Sequence, residues 1–270
     1  MKKVIRGVHY SPAISAIYYK ALRSLIEKVY KDFYKTVLSG LERPTMQEKV
    51  AEIVASRAES KVKDESANEA YKRLLTVFNK RFRRYLTDKA IRKLVKDTLE
   101  RAGRYSGREI ARRFQTLGLD LTKGENVIKK YASYMSATTE ENILLVKNLA
   151  EEEAKRLQGI VLRGFREGIP TTKLGAEIQS ALGVSKRRAV TIARTETHKI
   201  VQQLADYRAR DVGITRGRWR AVMDNRTSEQ HARFNGKEFD LKKGLYDRKT
   251  KTYNWPGRRV NCRCWTEYII

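Results

Sequence analysis

The stretch SKRRAVTIARTETHKIVQQLADYRARDVGITRGRWRAV, residues 185–222, changes its period part-way along. Over its first part Ala189, Ile192, Ala193, Ile200 and Leu204 recur at the three- and four-residue steps of a buried helix face, and Gly213 closes the pattern. Over its last part, RGRWRAV (216–222) alternates like a half-buried strand. A helix running straight into a strand, late in an otherwise helical chain, makes the expected fold class α+β.

Upstream, from Ser11 to Leu182, the chain reads as consecutive amphipathic helices. Ile14, Ile17, Leu22, Leu25, Ile26, Val29, Phe33 and Val37 stripe the first, which Gly40 and Pro44 end. Thr45 and Glu48 form a capping box for a long second helix through Phe78. Further helices are expected at 88–101, 107–116, 124–136 and 139–167, before Gly168-Ile169-Pro170 breaks the pattern. A short helix opens at Thr171-Thr172 with Gly183 as its cap, and Ser185 starts the next. Downstream, Trp219, Trp255 and Trp265, turns at Asn235-Gly236 and Pro256-Gly257, and the alternating WTEYII (265–270) describe short strands. The expectation is a mostly α-helical N-terminal region with long helices over 1–170, then a small C-terminal α+β domain with short antiparallel strands over 171–270.

The 270 residues carry 58 Lys and Arg against 31 Asp and Glu, a formal charge of +27, which points to a polyanion as partner. Four Pro in the whole chain and 33% charged residues exclude an all-β sandwich. No run of apolar residues is long enough to span a bilayer, so no membrane partner is expected. Cys262 and Cys264 stand one residue apart and suit a reducing compartment, as free thiols or metal ligands.

Charge concentrates late in the chain: residues 185–264 hold 21 Lys and Arg against 8 Asp and Glu, a net +13. Its clusters are Lys186, Arg187 and Arg188, then Arg216, Arg218 and Arg220 at period two, then Lys242 and Lys243, then Arg258 and Arg259. Each residue alone reads as solvated surface. As a set they read as a phosphate-contacting surface for double-stranded DNA without sequence preference, since no base-reading module is present.

Three strings stand in order: Ala193-Arg194-Thr195-Glu196-Thr197 on a helix, then Trp219 to Lys237 with Asp224, Arg226, Thr227, His231 and Gly236 at fixed spacing, then Pro256-Gly257 leading to Asn261-Cys262-Arg263-Cys264. Together, over about residues 171–268, they resemble the phage head morphogenesis family, the Mu F-like minor head proteins of tailed phages. The resemblance implies a virion component inside the head near the portal, assembled in the host cytoplasm. Its implied partners are the portal protein, packaged DNA, and capsid or scaffolding protein. It implies a part in head morphogenesis and in DNA ejection, and it marks Arg194, Glu196, Asp224, Arg226, Gly236, Pro256 and Asn261 as motif residues. Where the family pattern often has a histidine before Pro-Gly, this chain has Trp255.

Asp224, His231, Cys262 and Cys264 offer a carboxylate, an imidazole and two thiols, enough for a tetrahedral zinc. Two readings of them stand, a zinc site and ordinary packing of small buried thiols beside a turn histidine; no other cofactor is expected. Arg194 and Glu196 likewise have two readings: surface pairing, with Glu196 against Lys199 three residues on, or a buried pair of Arg194 or Glu196 with the Asp224/Arg226 loop. A nuclease-like or toxin-like enzyme using the four-residue cluster is the alternative function. It lacks a second acidic cluster, a phosphate-cradling loop and a nucleophile elbow, so no catalytic role is expected.

Overall fold

The computed structural model describes residues 3–9, 11–39, 64–119, 121, 127–167, 169 and 171–270. The expected stops at Gly40 and Pro44 and the capping box at Thr45 and Glu48 lie outside them. Contacts gather the chain into two compact units, Met1–Tyr19 with Leu94–Asn142 and Val190–Ile270, and Lys20–Lys93 with Ile143–Ala189. This is not a division at 170/171. Helices α1 (Pro12–Phe33), α3 (Asp88–Gln115), α5 (Ala132–Glu167) and α6 (Thr171–Asp211) each supply residues to both units, so neither unit is one continuous segment.

The second unit is helical. Leu22, Ile26, Val29 and Phe33 of α1, and Val37 of the π-helical turn Tyr34–Leu38, are fully buried, as the apolar stripe requires. From α2 (Asp64–Tyr85), Phe78 meets Phe33 edge-on at 5.0 Å. Each such side chain contributes roughly 1.5–3 kcal/mol by leaving water. One carboxylate is buried here: Glu153 accepts from the Tyr30 hydroxyl at 3.0 Å and faces Arg156 at 3.2 Å.

The helices are longer than the sequence signals suggest. Residues 88–115 form one helix rather than two, 132–167 form one after the four-residue α4 (Val127–Lys130), and 171–211 pass straight through Gly183 and Ser185. Ser and Thr read as helix starts instead turn their hydroxyls back onto carbonyls. Thr139 donates to Met135 O at 2.7 Å and Ser185 to Ala181 O at 3.1 Å. A mid-helix glycine costs about 1 kcal/mol, which burial of Ile178, Ala181, Ser185 and Ala189 around it offsets.

The first unit carries a four-stranded antiparallel sheet in the order β1 (Val4–Ile5), β6 (Trp265–Ile269), β2 (Arg216–Arg220), β3 (Glu238–Asp240). A hairpin of β4 (Leu245–Asp247) and β5 (Thr252–Asn254) follows β3, and a short helix α7 (Glu229–Phe234) lies between β2 and β3. Both strands read from alternation, β2 and β6, pair along their length from Arg216↔Ile269 to Arg220↔Trp265. Gly217 sits in mid-strand because a Cβ there would come within 2.7 Å of Thr266 Cγ2 and 2.8 Å of Leu241 Cδ2. Strand β1 was not expected from the sequence, being only two residues long. Among the described residues no helix is long and apolar enough to cross a membrane.

Candidate functional site

The sheet and α6 bring the three motif strings together. The C-terminal half of α6 docks on β6 and the segment before it through a polar stripe, Thr195, His198, Gln202 and Asp206, all buried. Thr195 Oγ1 accepts the Asn261 N–H at 3.1 Å and His198 Nε2 meets the Cys264 carbonyl at 2.8 Å. Gln202 Oε1 accepts the Thr266 N–H at 3.3 Å, and Asp206 accepts the Tyr268 hydroxyl at 3.0 Å. Sequence reading missed this stripe because it sought an apolar face. Its signal was there, polar residues at helical spacing, each able to pair with backbone.

Asp224 opens the loop after β2. Its carboxylate takes both guanidinium nitrogens of Arg263, the Arg226 N–H at 3.1 Å and the Thr227 hydroxyl at 3.2 Å. Arg263 above all, with these donors, holds the carboxyl well below the usual carboxylate range. Ser228 then caps α7 by accepting the His231 N–H at 3.4 Å, and one face of α7 buries His231 and Phe234 against Trp219. Gly236, at φ 81°, reverses the chain so that its N–H reaches the Trp219 carbonyl at 2.8 Å.

The Pro256-Gly257 turn closes the site from the other side. Pro256 is buried, the Trp255 indole donates to Leu241 O at 3.1 Å, and the Arg258 guanidinium lies 4.1 Å over the Trp255 ring. Gly257 has φ 77°, and a Cβ there would stand 2.5 Å from Gln202 Cγ. Gly257→Ala is therefore expected to lower stability by about 1–3 kcal/mol, from left-handed strain plus the displaced Gln202. Urea denaturation checks this, and an unchanged midpoint would refute the close approach.

Cys262 and Cys264 are both buried and both face His231: its Nδ1 is 3.7 Å from Cys262 Sγ and 3.6 Å from Cys264 Sγ. The Gly257 N–H donates to Cys262 Sγ at 3.3 Å. The bond from Cys264, with His231, draws the Cys262 thiol below its usual range, while that same bond and burial push Cys264 up. One side of the cluster opens on a cleft of about 120 Å³ whose walls include Thr227, Ser228 and Asn261. Asp224 does not join it: among the described residues the group able to hold one ion is His231, Cys262 and Cys264. Alternation along the extended Cys262-Arg263-Cys264 is the reason. It sends both sulfurs one way and Arg263 the other, and Asp224 goes with Arg263. The expected four-residue set thus becomes three.

Of the two readings, the pairing of Glu196 with Lys199 is the one the structure shows, with Glu196 buried rather than on the surface. Arg194 donates to the Asn261 side chain, while buried Glu196 accepts from Lys199 at 2.8 Å and from Asn142 at 3.3 Å. Glu196 therefore ties α6 to α5 rather than to the Asp224/Arg226 loop. Asn261 itself takes a left-handed φ of 58°, which asparagine tolerates.

The basic clusters fall in both units, and several are already balanced. In the helical unit Lys186 pairs with Glu27 at 3.0 Å and Arg188 with Glu152, leaving exposed Arg187 between them. On the sheet Arg216, Arg218 and Arg220 alternate with two glutamates: Glu238 lies 3.3 Å from Arg216 and 3.1 Å from Arg218, and Glu267 lies 3.4 Å from Arg218 and 2.9 Å from Arg220. Lys242 and Lys243 extend exposed side chains from a turn whose N–H groups Asp240 accepts, and exposed Arg259 bonds Gln230.

Comparison with known proteins places the three strings. Residues 155–267 match the family described as phage Mu protein F like protein. The segment that carries the motifs is similar to that family. The F-like segment begins within α5, earlier than the expected 171. A protein of Haemophilus influenzae described as uncharacterized is 29% identical over 147 residues, 54% of this chain and 32% of the relative. The match thus spans about a third of that relative's length. No solved structure matches the chain.

Proposed function

We propose that this protein is a minor head protein of a tailed phage, held at the portal vertex inside the head, where it contributes to head morphogenesis and contacts packaged DNA and its ejection. The observation that carries the reading is the F-like match over 155–267, which covers Asp224, His231 and the Asn261–Cys264 segment. A net charge of +27 supports a life against DNA. A structural rather than catalytic part is favoured, because Arg263 engages Asp224 instead of leaving it to orient His231 as a base. Portal protein, with capsid or scaffolding protein, is the proposed protein partner, and the virion the proposed location. Mass spectrometry of purified heads should find the protein, and deleting its gene should leave head assembly defective; normal infectious heads without it would overturn the reading.

DNA contact has its own test. Binding of full-length protein to a random-sequence duplex should weaken steeply with salt, by a slope of about 0.9 per phosphate neutralised. Because the strand arginines already share Glu238 and Glu267, changing Lys242, Lys243 and Lys251, which is exposed in the turn after β4, to Gln should flatten the slope more than changing Arg216, Arg218 and Arg220. A slope untouched by either set would remove DNA from the proposed partners.

A further inference from the structure

His231, Cys262 and Cys264 present three donor atoms within 4.8 Å of one another, two of them sulfurs almost equidistant from a single imidazole nitrogen, 3.7 and 3.6 Å. A hydrogen bond does not account for that symmetry. Nδ1 carries either one proton or one lone pair, so it bonds one thiol at a time, and a single such bond does not set two equal distances. A cation between the three serves all of them. With zinc–sulfur bonds near 2.3 Å and zinc–nitrogen bonds near 2.05 Å, a tetrahedron has N···S edges of about 3.6 Å and S···S edges of about 3.8 Å. The observed N···S distances sit on that edge length.

The donors are also held from independent directions. His231 is set by the Ser228 cap and the Trp219 ring, Cys262 by the turn whose N–H bonds Arg259 O at 3.1 Å, and Cys264 by its carbonyl on His198. The Gly257 N–H aimed at Cys262 Sγ favours a thiolate there. We propose that this cluster binds one zinc ion through His231 Nδ1 and the two thiolates, with the fourth position open to the cleft and filled by water. Soft thiolates with one imidazole at tetrahedral spacing select zinc over the oxygen-preferring cations. On binding, the two thiol protons pass to solvent and the neutral imidazole gives its lone pair. The ion ties α7 to the segment leading into β6. The inference rests on these side chains alone and stands or falls apart from the phage reading.

The test is metal analysis of the full chain purified without chelator. One equivalent of zinc per chain is expected, and cobalt in its place should give the intense visible bands of a tetrahedral thiolate site. Cys262→Ser and Cys264→Ser should each weaken zinc binding at least tenfold and diminish the cobalt–thiolate absorption, whereas Asp224→Asn should keep full stoichiometry. Should a serine variant fail to fold, chelator treatment of the wild type decides: it should lower the melting temperature, and zinc but not magnesium should restore it. Absence of stoichiometric zinc after incubation with excess metal, or an octahedral cobalt spectrum, would leave the thiols as packing residues. Loss of metal in Asp224→Asn would overturn the three-donor set.

Discussion

Trp219→Ala is expected to destabilise the protein by about 3–5 kcal/mol, the range for removing a fully buried large aromatic from a core. Trp219 is 1% exposed and is the largest fully buried side chain described. It stands on β2 and meets Phe234 at 4.9 Å, His231 at 5.4 Å and Phe239 at 6.4 Å, so one residue joins β2, α7 and β3. With the indole gone, α7 has little to pack against, because it is only six residues long and contributes two buried side chains. The sheet is paired by backbone and does not close such a hole. Half-exposed substitutions set the scale for comparison: Tyr246→Ala on the hairpin, where the ring is 47% exposed, should change stability far less. Urea midpoints of the two variants check this, and comparable losses would show that Trp219 is not the centre of the unit.

Asp206 carries the second large effect. Burial raises its carboxyl from the ordinary 3.8 to about 6, against the opposing pull of Arg258 and the Tyr268 hydroxyl. Between those two values the folded protein holds a proton that the unfolded chain has released. Stability therefore falls as pH rises through this window and is flat above about 6. A displacement of about two pH units amounts to roughly 3 kcal/mol. Asp206→Asn mimics the protonated acid and keeps an oxygen for Tyr268. The variant should match wild type near pH 4 and exceed it by about 2–3 kcal/mol at pH 8, as read from denaturation curves at both pH values. Parallel behaviour across that range would mean that water or Arg258 already satisfies the charge.

Much of this arrangement was legible in the residues. The apolar stripe of α1, apart from the exposed Ile17, and the alternation of RGRWR and WTEYI report side-chain period, which the backbone enforces directly. What was not legible depends on partners far along the chain. Ser185 and Thr139 look like helix starts in isolation, and only the long helix they lie in offers the carbonyls they use instead. Asp224 looks like a metal ligand until Arg263 is seen to emerge opposite the sulfurs. The Arg216, Arg218 and Arg220 face looks bare until β3 and β6 set Glu238 and Glu267 beside it. The pairing of Glu196 with Lys199, three residues on, was legible, whereas its second partner Asn142, on α5 and 54 residues away, was not.

The pairing of β1 with β6 ties folding to the order of synthesis. Val4 pairs with Ile269 and the Ile270 N–H bonds the Lys3 carbonyl at 3.0 Å, so β1 leaves the ribosome more than 250 residues before its hydrogen-bonding partners are made. Until then Ile5 and Val8, both buried in the finished sheet unit, have no strand to lie against. The helical segments gain their local bonds as they emerge, but the sheet has to close a loop of more than 250 residues, a step whose entropy grows with the logarithm of its length. The helices are therefore a scaffold that exists first, and the motif-bearing sheet is the part that must wait until β6 has been made.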